Sequence, residues 1–261
     1  MIFVDVQGTL ISDKDKSPIN GAIELIEFLN LKDIPYVAIT NNTKLKSEDF
    51  LKDLRAKGLN IKDGAYIDPF YVLEEILPVC KIAAFGSDKF QKTVLNLGYE
   101  LDFSSETKAV VIANGNEFKF SDFAQMIELL QGGARLIAMS ETSFYKKDDM
   151  SYPGAGAIAR MLDYATGSGF DVVGKPSDAF YKAALDLLRA QGGSGNFSDV
   201  TIISDDAICD LVGAKEIKMK TALVLSGKVK SASTAGVDLN LIDKIYADVS
   251  EVLKELHAKY K

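Results

Sequence analysis

Strand-length apolar runs alternate with helix-length amphipathic stretches along this chain, and that alternation limits its fold more than any single residue does. The spacing predicts strands over 2–6, 36–40, 81–85, 108–113, 135–139, 170–173, 200–204 and 221–225. Between them it predicts helices over 20–31, 47–56, 68–77, 121–130, 154–165 and 178–190. Parallel strands need a crossover, usually helical, so strand–helix–strand repetition implies an α/β fold: a mostly parallel sheet covered by helices on both faces. Asp68-Pro69 reads as an N-cap followed by proline at the first helical position. With 261 residues the chain exceeds the length at which a single core stops growing. The stretch 68–171 holds enough elements of its own for a smaller α/β domain inserted into the first. That leaves 1–67 and 172–261 as a discontinuous core domain.

At 47% hydrophobic and 26% charged, the composition is that of an ordinary globular protein. The net charge of -7 argues against a nucleic-acid partner, because phosphate backbones are held by clustered Lys and Arg. A small phosphorylated metabolite remains compatible, since one lysine or a divalent cation reverses the sign of a pocket. Cys80 and Cys209 show no C-x-x-C spacing, so a reducing, cytoplasmic setting is expected. No basic leader precedes an apolar segment at the start, and no apolar run approaches the roughly 20 residues that cross a bilayer, so no membrane partner is expected. The single histidine, His257, lies in a charged C-terminal helix pattern, which leaves carboxylates to do any chemistry.

In an open parallel sheet, ligands bind at the carboxyl ends of the strands. The first strand closes in Asp5-Val6-Gln7-Gly8-Thr9, and the second in Thr40-Asn41-Asn42-Thr43. The run 170–173 leads into Gly174-Lys175-Pro176-Ser177, and 200–204 into Ser204-Asp205-Asp206 with Asp210 following. These residue types suit phosphoryl transfer. A carboxylate can attack phosphorus and form an acyl phosphate, splitting one hard displacement into two easier ones. Attack by an anion on an anion needs positive charge between them. A hard cation held by Asp5 and Asp205 supplies it, and Mg²⁺ prefers such oxygen ligands. Thr40, the Asn41 amide and helix N-terminal N–H groups can hold phosphoryl oxygens, while Lys175 adds a point charge. Each piece also has an ordinary reading. Asp5 can cap a turn, Lys175 can be a turn lysine, and the Asp205–Asp210 acids can cap a helix, with Asp206 the one assigned to structure.

Taken in order, D-V-Q-G-T, T-N-N, G-K-P-S and S-D-D-x3-D resemble the haloacid dehalogenase (HAD) superfamily. More narrowly the set is similar to subfamily IIA, the NagD-like or p-nitrophenylphosphatase-like branch, whose pattern reads D-x-D-G-T, T-N-N, G-K-P, G-D-x4-D. The resemblance covers nearly the whole chain, including YPGAGAIARMLDYATG ahead of the lysine motif. It implies a Rossmann-like, doubly wound parallel-sheet core with an inserted α/β cap between the second and third motifs, a cap of the kind that often makes homodimer contacts. It implies Asp5 as nucleophile, Thr40, Asn41 and Asn42 as phosphate ligands, and Lys175 as stabiliser of nucleophile and phosphate. Asp205 would bind Mg²⁺ and Asp210 would support the metal through water. Two positions depart from the pattern. Ser204 replaces a glycine, a mild change. Gln7 replaces the acid that in the family protonates the leaving alcohol and later activates water, while its main-chain carbonyl can still reach the metal. General acid–base help is typically about 10²- to 10⁴-fold, so losing it raises the barrier by roughly 3 to 5 kcal/mol.

The first reading is therefore a slow Mg²⁺-dependent phosphatase of a small phosphate ester, a sugar phosphate or nucleotide. A second, motivated by Gln7, is a protein that binds phosphate esters or rests as a long-lived aspartyl phosphate. Dehalogenation of a 2-haloacid by Asp5 needs no metal and leaves Asp205 without a purpose. A dinucleotide site is weaker still, because Gly154-Ala155-Gly156 lacks the third glycine.

Overall fold

The computed structural model describes residues 1–115, 117–147 and 150–260, and strand and helix alternate through them. In chain order the strands are β1 Ile2–Asp5, β2 Tyr36–Ile39, β3 Tyr66–Ile67, β4 Lys81–Phe85, β5 Glu100–Leu101, β6 Ala109–Ile112 and β7 Arg135–Ala138. They continue with β8 Phe144–Lys147, β9 Met150–Pro153, β10 Asp171–Val172, β11 Thr201–Ser204, β12 Lys220–Val224 and β13 Lys244–Tyr246. The α-helices are α1 Ala22–Leu31, α2 Ser47–Ala56, α3 Pro69–Ile76, α4 Asp88–Asn96, α5 Phe120–Gln131, α6 Ala155–Thr166, α7 Asp178–Ala190, α8 Val212–Glu216 and α9 Val249–Lys259. Contacts gather these elements into two compact units. One comprises Met1–Thr40, Glu48–Ile67 and the chain from Tyr181 onward; the other comprises Asn41–Ser47 and Asp68–Phe180.

The first unit is built on a six-stranded sheet in the order β13-β12-β11-β1-β2-β3, parallel throughout. Every residue of β1 and β2 is buried, as expected of central parallel strands covered on both faces. Strand alternation sends Ile2 and Val4 into one core with Leu25, Ile26 and Leu29 of α1 and Val249, Val252 and Leu253 of α9. Phe3 points to the opposite face, where its ring stacks on Tyr181 of α7 at 6.1 Å. Burial of each such side chain contributes about 1.5–3 kcal/mol, so the sheet is clamped from both sides. The carbonyl of Val6 accepts the N–H groups of both Leu10 and Ile11 at 2.9 Å, which turns the chain out of the sheet just after Asp5.

The second unit has its own five-stranded parallel sheet, β10-β7-β6-β4-β5, and the antiparallel hairpin β8–β9. Met126, Leu129 and Leu130 of α5 and Ile158, Ala159 and Leu162 of α6 pack on one face of that sheet. Asp68 caps α3, accepting the N–H groups of Phe70 at 3.0 Å and Tyr71 at 3.3 Å, with Pro69 at the first position. The residues 172–180, expected with the core, group here because β10 pairs with β7. The expected strand over 170–173 shortens to Asp171–Val172. The short strands β3, β5, β8, β9 and β13 and the helices α4 and α8 add to the expected set. Among the described residues no helix is long and apolar enough to cross a membrane.

Candidate active site

Asp5 ends β1, is only 4% exposed and stands level with Ile39 of β2. On its other side, Val4 pairs with Ile203 of β11, so the register carries Asp5 level with Ser204 and sets Asp205 one residue beyond. Neighbouring strands lie about 4.8 Å apart, and both acids therefore emerge at the same edge of the sheet. This is where sequence reasoning expects a ligand.

Asp205 is 1% exposed and held from several directions. Its main-chain N–H donates to the Thr9 hydroxyl at 3.1 Å, and its Oδ2 accepts the main-chain N–H of Lys228 at 2.6 Å. Gly8, at φ +79°, and Gly227 press their backbones against the carboxylate so closely that a β-carbon at either would overlap Oδ2. Burial pushes the Asp205 carboxyl up to about 6, with Asp210 and Asp206 pushing the same way, while the N–H and charge of Lys228 pull it down.

Downstream, residues Ala207–Leu211 form a π-helical turn, with the Leu211 N–H bonded to the Asp206 carbonyl at 3.3 Å. Asp206 caps that turn by accepting the Cys209 N–H at 3.0 Å, the structural role assigned to it, and its carboxylate pairs with the Lys228 ammonium. Ser204, the departure from glycine, has a definite task. Its hydroxyl donates to Asp210 at 2.7 Å and accepts the Asp206 N–H at 3.1 Å. Asp210 is buried in that arrangement. Burial pushes the Cys209 thiol up to about 12, so it carries no thiolate nucleophile.

Gln7 and Thr40 meet directly. The Thr40 hydroxyl donates to Gln7 Oε1 at 2.6 Å, fixing the amide so that its nitrogen is the end left to donate. The first unit thus gathers Asp5, Gln7, Thr40, Asp205 and Asp210.

The second unit holds Asn41, Asn42 and Lys175, and here the side chains do something the motif does not announce. Asn41 clasps the main chain of Lys175, its Oδ1 accepting the Lys175 N–H at 2.8 Å and its Nδ2 donating to the Lys175 carbonyl at 3.2 Å. Lys175 is 4% exposed, and the Lys175–Pro176 peptide is cis. Asn42 closes its own loop, accepting the Lys44 N–H at 3.1 Å and donating to the Leu45 carbonyl at 2.7 Å. It also donates to Asp68, which in addition accepts the Ser47 hydroxyl at 2.7 Å. Both amides thus also serve the local structure, Asn41 through the main chain of Lys175 and Asn42 through its own loop and Asp68, while the Thr40 side chain meets Gln7.

The expected donor set for a metal is all oxygen: the Asp5 and Asp205 carboxylates and the main-chain carbonyl of Gln7, with Asp210 behind them through water. Among the described residues no three His, Cys, Asp or Glu side chains converge to form a metal cage by themselves. Two carboxylates and a carbonyl nevertheless fit Mg²⁺, which keeps several waters and takes a substrate oxygen. A fully buried acid whose ionisation is opposed by its surroundings is a site that gains from a cation. Sequence reasoning missed Thr9, Gly227 and Lys228. The signal was available for the last two, since Ser226-Gly227-Lys228 follows a strand end like the other motifs. Gly154 and Gly156 donate their N–H groups to the carbonyls of Ser143 and Thr142, so that Gly-x-Gly anchors a loop. A cleft of about 460 Å³ in the second unit, lined by Arg135, Glu141, Asp171 and Ser177 among others, includes none of the expected site residues.

Two family models match this chain, "Haloacid dehalogenase-like hydrolase" over residues 2–100 and "HAD-hydrolase-like" over residues 172–252. The haloacid dehalogenase-like hydrolase domain-containing protein 2 of Rattus norvegicus is 30% identical over 239 residues, covering 88% of this chain and 86% of that protein. An acid sugar phosphatase of Staphylococcus saprophyticus is 23% identical over 260 residues, covering 97% and 96%. The solved p-nitrophenyl phosphatase of Archaeoglobus fulgidus has the same fold, with a TM-score of 0.79 at 22% identity over 97% of this chain and 98% of that one. The chain belongs to the haloacid dehalogenase-like hydrolases.

Proposed function

We propose that the chain is a Mg²⁺-dependent phosphatase that hydrolyses a small phosphate ester, a sugar phosphate or a nucleotide, through an aspartyl phosphate on Asp5. The observation that supports this reading is the register of β1 and β11, in which buried Asp5 ends one strand and buried Asp205 follows the end of its neighbour at the carboxyl edge of the sheet. The names of similar proteins, a p-nitrophenyl phosphatase and an acid sugar phosphatase, support a phosphate monoester of modest size. The two cysteines are free thiols, in keeping with a reducing cytoplasm.

A carboxylate oxygen of Asp5 attacks phosphorus, forming the acyl phosphate as the ester P–O bond breaks. Asp5, the Gln7 carbonyl and Asp205 would hold Mg²⁺, and the ion would supply the positive charge that lets two anions approach. Lys175, with its main chain clasped by Asn41, adds a second positive charge for the phosphoryl oxygens. The Gln7 amide can donate a hydrogen bond but has no acidic proton, so the departing oxygen takes its proton from water. In the second step water attacks the acyl phosphate without a carboxylate base at position 7. Turnover is therefore slow, and esters whose leaving group is stable as an anion react best in the first step.

The same Gln7–Thr40 bond favours a second reading, in which the aspartyl phosphate persists and the chain acts as a binder of phosphate esters. One experiment separates these readings. Phosphate release from p-nitrophenyl phosphate is measured for wild type, Asp5→Asn and Gln7→Asp, with Mg²⁺ and with EDTA. Slow release lost in Asp5→Asn and in EDTA, and raised about 10²- to 10⁴-fold in Gln7→Asp, is expected. Full activity in Asp5→Asn would refute covalent catalysis. A phosphorylated Asp5 that accumulates without release would favour the binder.

A further inference from the structure

We propose that Lys228 sets the divalent-cation affinity of this site by neutralising Asp206, the acid next to the metal-binding Asp205. The inference rests on the cation site read above and concerns a residue to which neither the motifs nor the mechanism gives a role.

Lys228 acts at two points through two different groups. Its main-chain N–H donates to Asp205 Oδ2 at 2.6 Å and thereby orients the carboxylate. Its ammonium pairs with Asp206, whose side chain is 14% exposed against 63% for that of Lys228. Asp205 and Asp210 are both buried, and Asp206 stands between them in sequence, so three acids fall within six residues. A neutralised Asp206 adds little to the field that a cation feels at Asp205. An unneutralised Asp206 deepens it, and an uncompensated Lys228 opposes it. At separations of several ångströms and a water-like effective dielectric near 80, fitting so exposed a lysine, one unit charge changes the affinity for a divalent ion by on the order of 10-fold. The exposure of the lysine makes the effect sensitive to salt. Any substitution other than proline leaves the main-chain N–H in place, so the charge can be tested while the orientation of Asp205 is retained. Lys228 is in this sense a positioning residue with a tuning charge.

The test is Mg²⁺ titration by calorimetry, with Mn²⁺ binding followed by electron paramagnetic resonance, on the full-length chain at low ionic strength. Lys228→Met and Lys228→Gln should each lower the dissociation constant about 10-fold, and Lys228→Arg should leave it at the wild-type value. Asp206→Asn should raise the constant by a similar factor, because it leaves the ammonium uncompensated. The double variant Lys228→Met/Asp206→Asn should return near wild type. Raising the salt concentration should shrink all of these differences. Unchanged affinity in both Lys228→Met and Lys228→Gln, beside a wild type that binds the ion, would overturn the inference and leave the cation site standing. A wild type that binds neither ion would overturn the cation site itself, and the tuning role with it.

Discussion

Replacing Asp205 with asparagine should stabilise the metal-free protein while abolishing its response to Mg²⁺. The carboxyl titrates at about 6 in the fold against an ordinary 3.8, with burial as the leading cause. That difference of about two units means the charged form is disfavoured in the fold by about 3 kcal/mol. Asparagine keeps an oxygen for the Lys228 N–H, which now donates to a neutral acceptor, so roughly 1 kcal/mol of the gain is given back. A net stabilisation of about 2 kcal/mol at pH 7.5 corresponds to about 4–8 °C in a chain of this size. The sign depends on pH. Because the folded value is raised, the native state holds the proton more tightly, so wild-type stability falls as pH rises from about 4 to about 6 and levels off above. The advantage of the variant should therefore be full at pH 7.5 and gone near pH 4. Thermal melts in EDTA at both pH values measure it, and melts with excess Mg²⁺ should raise the wild-type Tm and leave the variant unmoved. A variant less stable than wild type at pH 7.5 in EDTA, or one whose advantage persists at pH 4, would refute the account of Asp205.

Two further outcomes follow from hydrogen bonds at the sheet edge. Ser204→Ala removes the hydroxyl that joins Asp210 to the Asp206 N–H in a buried setting, and should destabilise the chain by about 1–3 kcal/mol, read as a lower Tm. Asn41→Ala removes both bonds to the main chain of Lys175 and should lower kcat/KM for p-nitrophenyl phosphate by roughly 10- to 100-fold, each bond contributing about 0.5–1.5 kcal/mol.

The parallel sheets were legible because long apolar runs such as 36–40 and 81–85 bury both faces, and few other structures tolerate that pattern. Among the strands that escaped notice, Tyr66–Ile67 and Lys244–Tyr246 are two and three residues long, and neighbouring strands rather than their own pattern recruit them. Helix Asp88–Asn96 was readable in principle, since Ser87 caps it by accepting the Phe90 N–H at 3.3 Å. At the site, residue identities were visible in the sequence and partners were not. Asn41 and Lys175 lie 134 positions apart, and nothing local says that the amide also holds the lysine's backbone. Lys228 was overlooked for the same reason, because its two acids precede it by more than twenty residues.

The two turns that squeeze Asp205 make this corner of the molecule hard to alter piecemeal. With no space for even a methyl group at position 8 or 227, the acid and both bends must be inherited together or given up together. A descendant that kept the architecture but abandoned its chemistry would betray itself there first, by acquiring side chains where this chain has bare backbone.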